Sequence, residues 1–219
     1  MKKKITLYVI AAAILAIAVI GGTLAFFTDE TEKKTNSFTF GEVDIDLEET
    51  ADRNTESNYE PGTPKEDGSG FEYPEVVPGV KYSKKPVITV DADSEDAYVF
   101  AEISVTNYHA LFAALEAAGL DPSQLDSLLC VPDLGTGEPV DHWLTDDGVF
   151  HIVYTAGIKS AGYKWTLFEA VQVPAELTQE MVESLQEDGV DVAVKGYGVQ
   201  AAGIADAAAA WAEVDPGEI

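Results

Sequence analysis

Thr35-Asn36-Ser37-Phe38-Thr39-Phe40-Gly41-Glu42-Val43-Asp44-Ile45-Asp46-Leu47 is the stretch that decides the fold class. Both of its halves alternate in hydrophobicity. In the second half Val43, Ile45 and Leu47 share one face, while Asp44, Asp46 and Glu48 take the other. Alternation with period two and acids on one side predicts a half-buried strand with a wet face. Gly41 separates the halves as a turn or bulge residue.

Downstream, apolar content collapses from about residue 48 to residue 78. Pro61, Gly62, Pro64, Gly68 and Gly70 stand among acids there, which predicts a flexible acidic loop. After the Pro78-Gly79 turn, Tyr82–Val90 and Ala97–Val105 read as strands, the second rich in β-branched and aromatic residues. The period then changes. Leu111, Phe112, Leu115 and Ala118 fall at helical spacing, Gly119 stops the helix, and residues 122–129 suggest a second short one. Together they define a helical insertion over 108–130.

A hairpin is expected where Trp143-Leu144-Thr145 and Val149–Thr155 flank Asp146-Asp147-Gly148. Tyr163–Val173 reads as a further strand. Thr178 caps a helix that runs through Gln186, with Gly189 beyond its end. Val190–Gln200 returns to strand, and Ala205–Ala212 forms a last short helix carrying Trp211. Seven or eight strands in hairpin-like pairs favour a mainly β, antiparallel β-sandwich with inserted short helices over a βαβ alternation.

Upstream, Lys2, Lys3 and Lys4 precede an uncharged apolar run from Ile5 to Ile20. Gly21-Gly22 breaks the run, and Thr23 and Ala25 are the small residues at the −3 and −1 positions of a cut between Ala25 and Phe26. Residues 1–25 are therefore expected to be a cleavable signal helix, and 26–219 a single β-sandwich domain. A retained anchor is the rival reading, since Ile5–Phe27 is about long enough to span a ~30 Å hydrocarbon core. Membrane contact is expected only through the uncleaved signal segment.

The chain carries 13 Lys and Arg against 39 Asp and Glu, a formal charge of −26. Loss of the three leader lysines would leave 10 cations and a charge of −29. Such a surface repels polynucleotide and anionic lipid, so nucleic acid is excluded as a partner. Cys130 is the single cysteine, which rules out an intrachain disulfide. Its apolar surroundings, Leu128-Leu129-Cys130-Val131, predict a buried structural thiol.

Catalytic signatures are absent from the sequence. It holds no His-Glu-x-x-His, no Gly-x-Ser-x-Gly and no phosphate-binding Gly-Lys-Thr loop. His109, His142 and His151 are scattered over helix start, loop and strand. No cofactor is expected, with one candidate kept: Asp91, Asp93 and Glu95 alternate along a loop, as calcium ligands can. They lack the glycine and distal glutamate of an EF-hand loop, and a solvated acidic turn is the plainer account. Phe38, Phe40, Tyr98, Phe100, Phe150, Tyr154, Trp165 and Phe168 are read mainly as core.

The leader, its continuation Gly21-Gly22-Thr23-Leu24-Ala25-Phe26-Phe27-Thr28-Asp29, and the run from Asn36 to Leu47 together resemble the camelysin/TasA-like family of secreted Gram-positive proteins. Pro78-Gly79 and the ending Ala193–Gly203 with Ala210-Trp211 are similar to further family landmarks. The resemblance implies removal of the leader by a SipW-like signal peptidase, a jelly-roll-like sandwich, and a place at the cell surface or in the extracellular matrix. It implies two alternative activities. One is a non-enzymatic biofilm fibre subunit that self-associates when Phe26, Phe27 and Thr28 of one subunit are donated as a strand to the next. The other is a cell-surface metalloendopeptidase, from which this chain departs by lacking a zinc motif.

Overall fold

The computed structural model describes residues 43–52, 59–121, 130–131 and 137–214. The chain divides into two units, Met1–Glu32 and Lys33–Ile219, and every described residue belongs to the second. The predicted strand at 35–40, the helix at 122–129 and the leader lie outside the described residues.

Among the described residues the unit is mainly β and its strand pairing is antiparallel, apart from one parallel bridge between Glu60 and Tyr82. One sheet has the order β1 (Ile45–Thr50), β5 (Lys85–Val90), β10 (Lys164–Thr166). A second has β4 (Lys81–Ser83), β11 (Ala170–Gln172), β7 (Cys130–Val131). The largest has β12 (Val192–Gln200), β6 (Ala97–Val105), β9 (Phe150–Lys159), β8 (Glu138–Leu144). A ribbon of β2 (Thr63–Pro64) and β3 (Phe71–Glu72) completes the set.

Alternation in β1 works as its sequence predicts. Val43 and Ile45 are buried, whereas Asp46 and Glu48 are exposed. With Ile88 and Val90 of β5 and Trp165 of β10, they meet Val99, Ala101 and Ile103 of β6 in the main core. That face-to-face packing makes a β-sandwich. Fully burying an aliphatic side chain such as Ile88 contributes roughly 1.5–3 kcal/mol.

β12 approaches β1 and β5 closely at two glycines. A β-carbon on Gly198 would stand 2.7 Å from Val43 Cγ1, and one on Gly196 would stand 3.3 Å from Ile88 Cδ1. Nearly every residue of β6 is buried, because both of its faces are covered. The outer face of the large sheet packs Phe100, Tyr197 and Val199 against a short helix, α3 (Ala207–Trp211). Two longer helices, α1 (Tyr108–Ala117) and α2 (Gln179–Asp188), bury Leu111, Leu115, Val182 and Leu185 in a separate cluster with Val105.

Several predicted elements are divided or extended. Tyr82–Val90 is two strands in different sheets, β4 and β5, and Tyr163–Val173 likewise splits into β10 and β11. The two halves form one ribbon that bends without losing its hydrogen bonds: Leu167 N–H donates to Pro86 O and Lys84 N–H to Glu169 O, both at 3.1 Å. At the bend Leu167 and Phe168 are both buried, so the alternation fails and the ribbon changes sheet. β1 continues to Thr50, three residues into the predicted 48–78 loop, and the same stretch contains the β2–β3 ribbon. The helical insertion ends before Cys130, whose backbone pairs with Val171 as a strand.

The Asp146-Asp147-Gly148 hairpin forms as predicted, with Gly148 at φ +83°. Thr178 caps α2 by accepting from Met181 N–H, and Gly189 follows the helix at φ +75°. An unforeseen bulge lies opposite Val99 and Phe100, where Gly157 at φ +77° lets β9 carry one extra residue.

Candidate functional site: a cleft at the sandwich edge and a bridged carboxylate

Two places combine charge with burial. The first is a cleft of about 1160 Å³ bordered by Leu47 and Glu49 of β1 and by Val192 and Val194 of β12. Both strands are sheet edges among the described strands: β1 pairs only with β5, and β12 only with β6. Val173 and Leu185 add apolar wall, while Lys65 and Asp191 make an ion pair at 3.7 Å among the lining residues.

Glu49 and Lys84 set the chemistry of this cleft. Glu49 follows Ile45 and Leu47 at period two, so it falls on the inward face of β1. Lys84 sits at the joint between β4 and β5 with only 9% of its side chain exposed. Its Nζ donates to Glu49 Oε2 at 2.6 Å. The other oxygen, Glu49 Oε1, is buried with no hydrogen-bond partner among the described residues. An acceptor left unmet in that way costs about 1–3 kcal/mol. Burial, and then the charge of Glu49, push the Tyr73 phenol well above its ordinary range. Tyr73 stays neutral and donates to Ser83 O.

The second place is the outer face of the large sheet, whose Glu102 and Lys195 also border the cleft. Glu102 of β6 is 8% exposed and is bridged from both flanking strands. Tyr197 OH on β12 donates to Oε2, and His151 Nδ1 on β9 lies 2.6 Å from Oε1. A carboxylate only accepts, so the imidazole carries a proton on Nδ1. Trp143 of β8 stacks on His151 at 4.7 Å and 5°. Lys195 sits over the Tyr197 ring at 4.9 Å. Desolvation lowers the Lys195 pKa, with Glu102 opposing that shift, and burial with the Glu102 hydrogen bond raises that of Tyr197. Trp211 Nε1 of α3 donates to Asp141 Oδ2 at 3.0 Å and closes the far side.

Thr23, Ala25, Phe26, Phe27 and Thr28, read as cleavage and donation residues, lie outside the described residues. Asp91, Asp93 and Glu95 lie in the turn between β5 and β6, the last two exposed. Among the described residues no group of three or more His, Cys, Asp or Glu side chains gathers that could hold a metal ion. His109 begins α1. His142 and His151 occupy neighbouring strands at adjacent positions, pairing with Ile152 and Trp143, and so point to opposite faces. The described residues therefore do not fit a protein-held zinc site, which needs three or four converging donors.

Sequence reasoning missed both charged sites. The available signal was a charge in the wrong phase: Glu102 interrupts the apolar run Ala97–Val105, and Glu49 falls in register with Ile45 and Leu47.

Residues 1–64 match the model of a family described as camelysin metallo-endopeptidase. This agrees with the family resemblance read from the leader and first strand. Neither the search of curated proteins nor that of solved structures gives a match. No helix among the described residues is long and apolar enough to cross a membrane.

Proposed function

We propose that the chain is an exported, non-enzymatic subunit of a cell-surface or extracellular matrix fibre, assembling when the N-terminal segment freed by signal cleavage is donated to a neighbour. The observation that carries this reading is the nine-residue strand β12, paired on one side only among the described strands and bordering an apolar cleft. An edge of that length is a template for β-augmentation: backbone groups supply affinity and alternate side chains supply register. Phe26, Phe27 and Thr28 open the mature chain with two aromatics that gain by burial. Donation of this kind is heterologous, head to tail, and propagates into filaments rather than closing. The family match supports the reading only as far as the family, because it spans residues 1–64.

Electron microscopy of the cleaved protein, with and without residues 26–34, tests the proposal. Filaments that vanish on deletion are expected; a strictly monomeric species in both samples overturns it.

The family description favours a second reading, a metal-dependent endopeptidase. Metal analysis together with a casein assay, with and without chelator, separates the two. Stoichiometric zinc and chelator-sensitive cleavage would replace the fibre reading; neither is expected.

A further inference from the structure

The β2–β3 ribbon forms one wall of the cleft, through Lys65, Ser69, Gly70, Phe71 and Glu72. Its base is fixed. Gly62 N–H donates to Ala51 O at 3.1 Å just beyond β1, and Tyr73 OH donates to Ser83 O on β4. The turn between them closes on itself: Lys65 N–H donates to Gly70 O at 2.9 Å, and Gly68 N–H to Lys65 O at 3.0 Å. Residues 63–72 are thus built to move as one body about Gly62 and Tyr73.

From that base the ribbon reaches the start of β12. Lys65 Nζ meets Asp191 Oδ1 at 3.7 Å, with the two side chains 33% and 73% exposed. Asp191 is a fixed catch, because its N–H donates to Thr106 Oγ1 at 2.8 Å and its carbonyl accepts from Thr106 N–H at 3.0 Å. An exposed ion pair of this kind is weak and is screened by salt. Beneath the ribbon a second feature acts the opposite way. A β-carbon on Gly70 would stand 3.8 Å from Glu49 Oε1, the buried acceptor without a partner among the described residues. Lifting the ribbon admits water to that oxygen, and an unmet carboxylate oxygen favours the hydrated state.

We propose that the β2–β3 ribbon is a strap over the cleft, latched to β12 by Lys65 and Asp191 and biased towards opening by Glu49, so that ionic strength sets how far the apolar walls are exposed. Closed, it shields Leu47, Val192 and Val194, which belong to two strands paired on one side only among the described strands. Covering such an edge is one way in which a sheet avoids unwanted pairing. The strap stands whether or not the chain forms fibres.

The test uses the purified chain with labelled valine and leucine methyls and a neutral gadolinium chelate, whose relaxation effect reports solvent access. Sodium chloride is raised from about 0.01 to about 1 M, which shortens the Debye length from about 30 to about 3 Å. Access at Leu47, Val192 and Val194 should rise roughly two- to fivefold, the range that an exposed ion pair commands in an equilibrium. Val99, deep in the core, should not change. Asp191→Asn should show the high-salt value already at low salt. Glu49→Leu combined with Lys84→Met removes the unmet acceptor without stranding a charge, and should keep the cleft methyls shielded at high salt. Access that ignores salt, or Asp191→Asn matching the parent at low salt, overturns the latch. A double variant that opens as the parent does overturns the role of Glu49. A parallel rise at Val99 means general loosening and overturns the strap.

Discussion

Glu102 Oε1 lies 2.6 Å from His151 Nδ1 while Tyr197 occupies the other oxygen, so one buried carboxylate ties three adjacent strands together across the outer face of the large sheet. Removing either partner leaves part of that carboxylate unmet in a dry environment. His151→Ala and Tyr197→Phe should each destabilise the domain by about 1–3 kcal/mol. Because both serve the same group, the double variant should depart from additivity by about 0.5–3 kcal/mol. Urea unfolding of the four proteins measures the coupling. Strict additivity would mean that the bridge does not act as a unit.

Gly198 carries the contact between β1 and β12. The space that its missing side chain leaves is filled by Val43 and Ile45, with Val43 Cγ1 2.7 Å from the position of a β-carbon. That distance forces a shift of strand or rotamer, and overpacking of this kind costs about 1–3 kcal/mol. Gly198→Ala should therefore lower the melting temperature. Gly203→Ala is a poor control because its φ of +86° is itself strained for alanine. A better comparison is Gly198→Ala combined with Val43→Ala, which vacates the space and should recover part of the loss. If the single variant is as stable as the parent, the strands are not in this contact.

Much of the fold was legible because single strands declare themselves locally. Val43–Leu47 alternates, Ala97–Val105 is rich in β-branched and aromatic residues, and Asp147-Gly148 encodes its own turn. The division of Tyr82–Val90 and Tyr163–Val173 was not legible, since a ribbon that changes sheet does so through the way two distant segments bend together. Pairing of Lys84 with Glu169 and of Leu167 with Pro86 has no local signature. The charged sites were hidden for the same reason. A glutamate in register with core residues marks an exception to the pattern, but its partners lie 35 residues away for Glu49 and 49 and 95 residues away for Glu102. Only the fold names them.

Tyr197 and Tyr73 set the response to alkali. Burial, reinforced by Glu102 for Tyr197 and by Glu49 for Tyr73, raises both phenols above their ordinary value of about 10. Below that value folded and unfolded chains both hold the phenolic protons, and their contribution is fully present. As pH rises past it the unfolded chain releases protons that the folded chain keeps, so stability falls. The slope reaches at most about 1.4 kcal/mol per pH unit for each tyrosine. Lys195 works against this, because its lowered pKa makes the unfolded chain the better proton binder, which raises stability as pH rises towards the ordinary lysine value. Urea midpoints between pH 8 and 11 should consequently decline above about pH 10. The decline should be shallower in Tyr197→Phe and steeper in Lys195→Met. Tyrosinate absorbance offers a direct readout: Tyr73 and Tyr197 should resist ionisation until the chain unfolds, and Tyr108, also raised by burial, should lag behind the exposed tyrosines. Full titration of all tyrosines in the folded protein near pH 10 would show that Tyr73 and Tyr197 are not held as described.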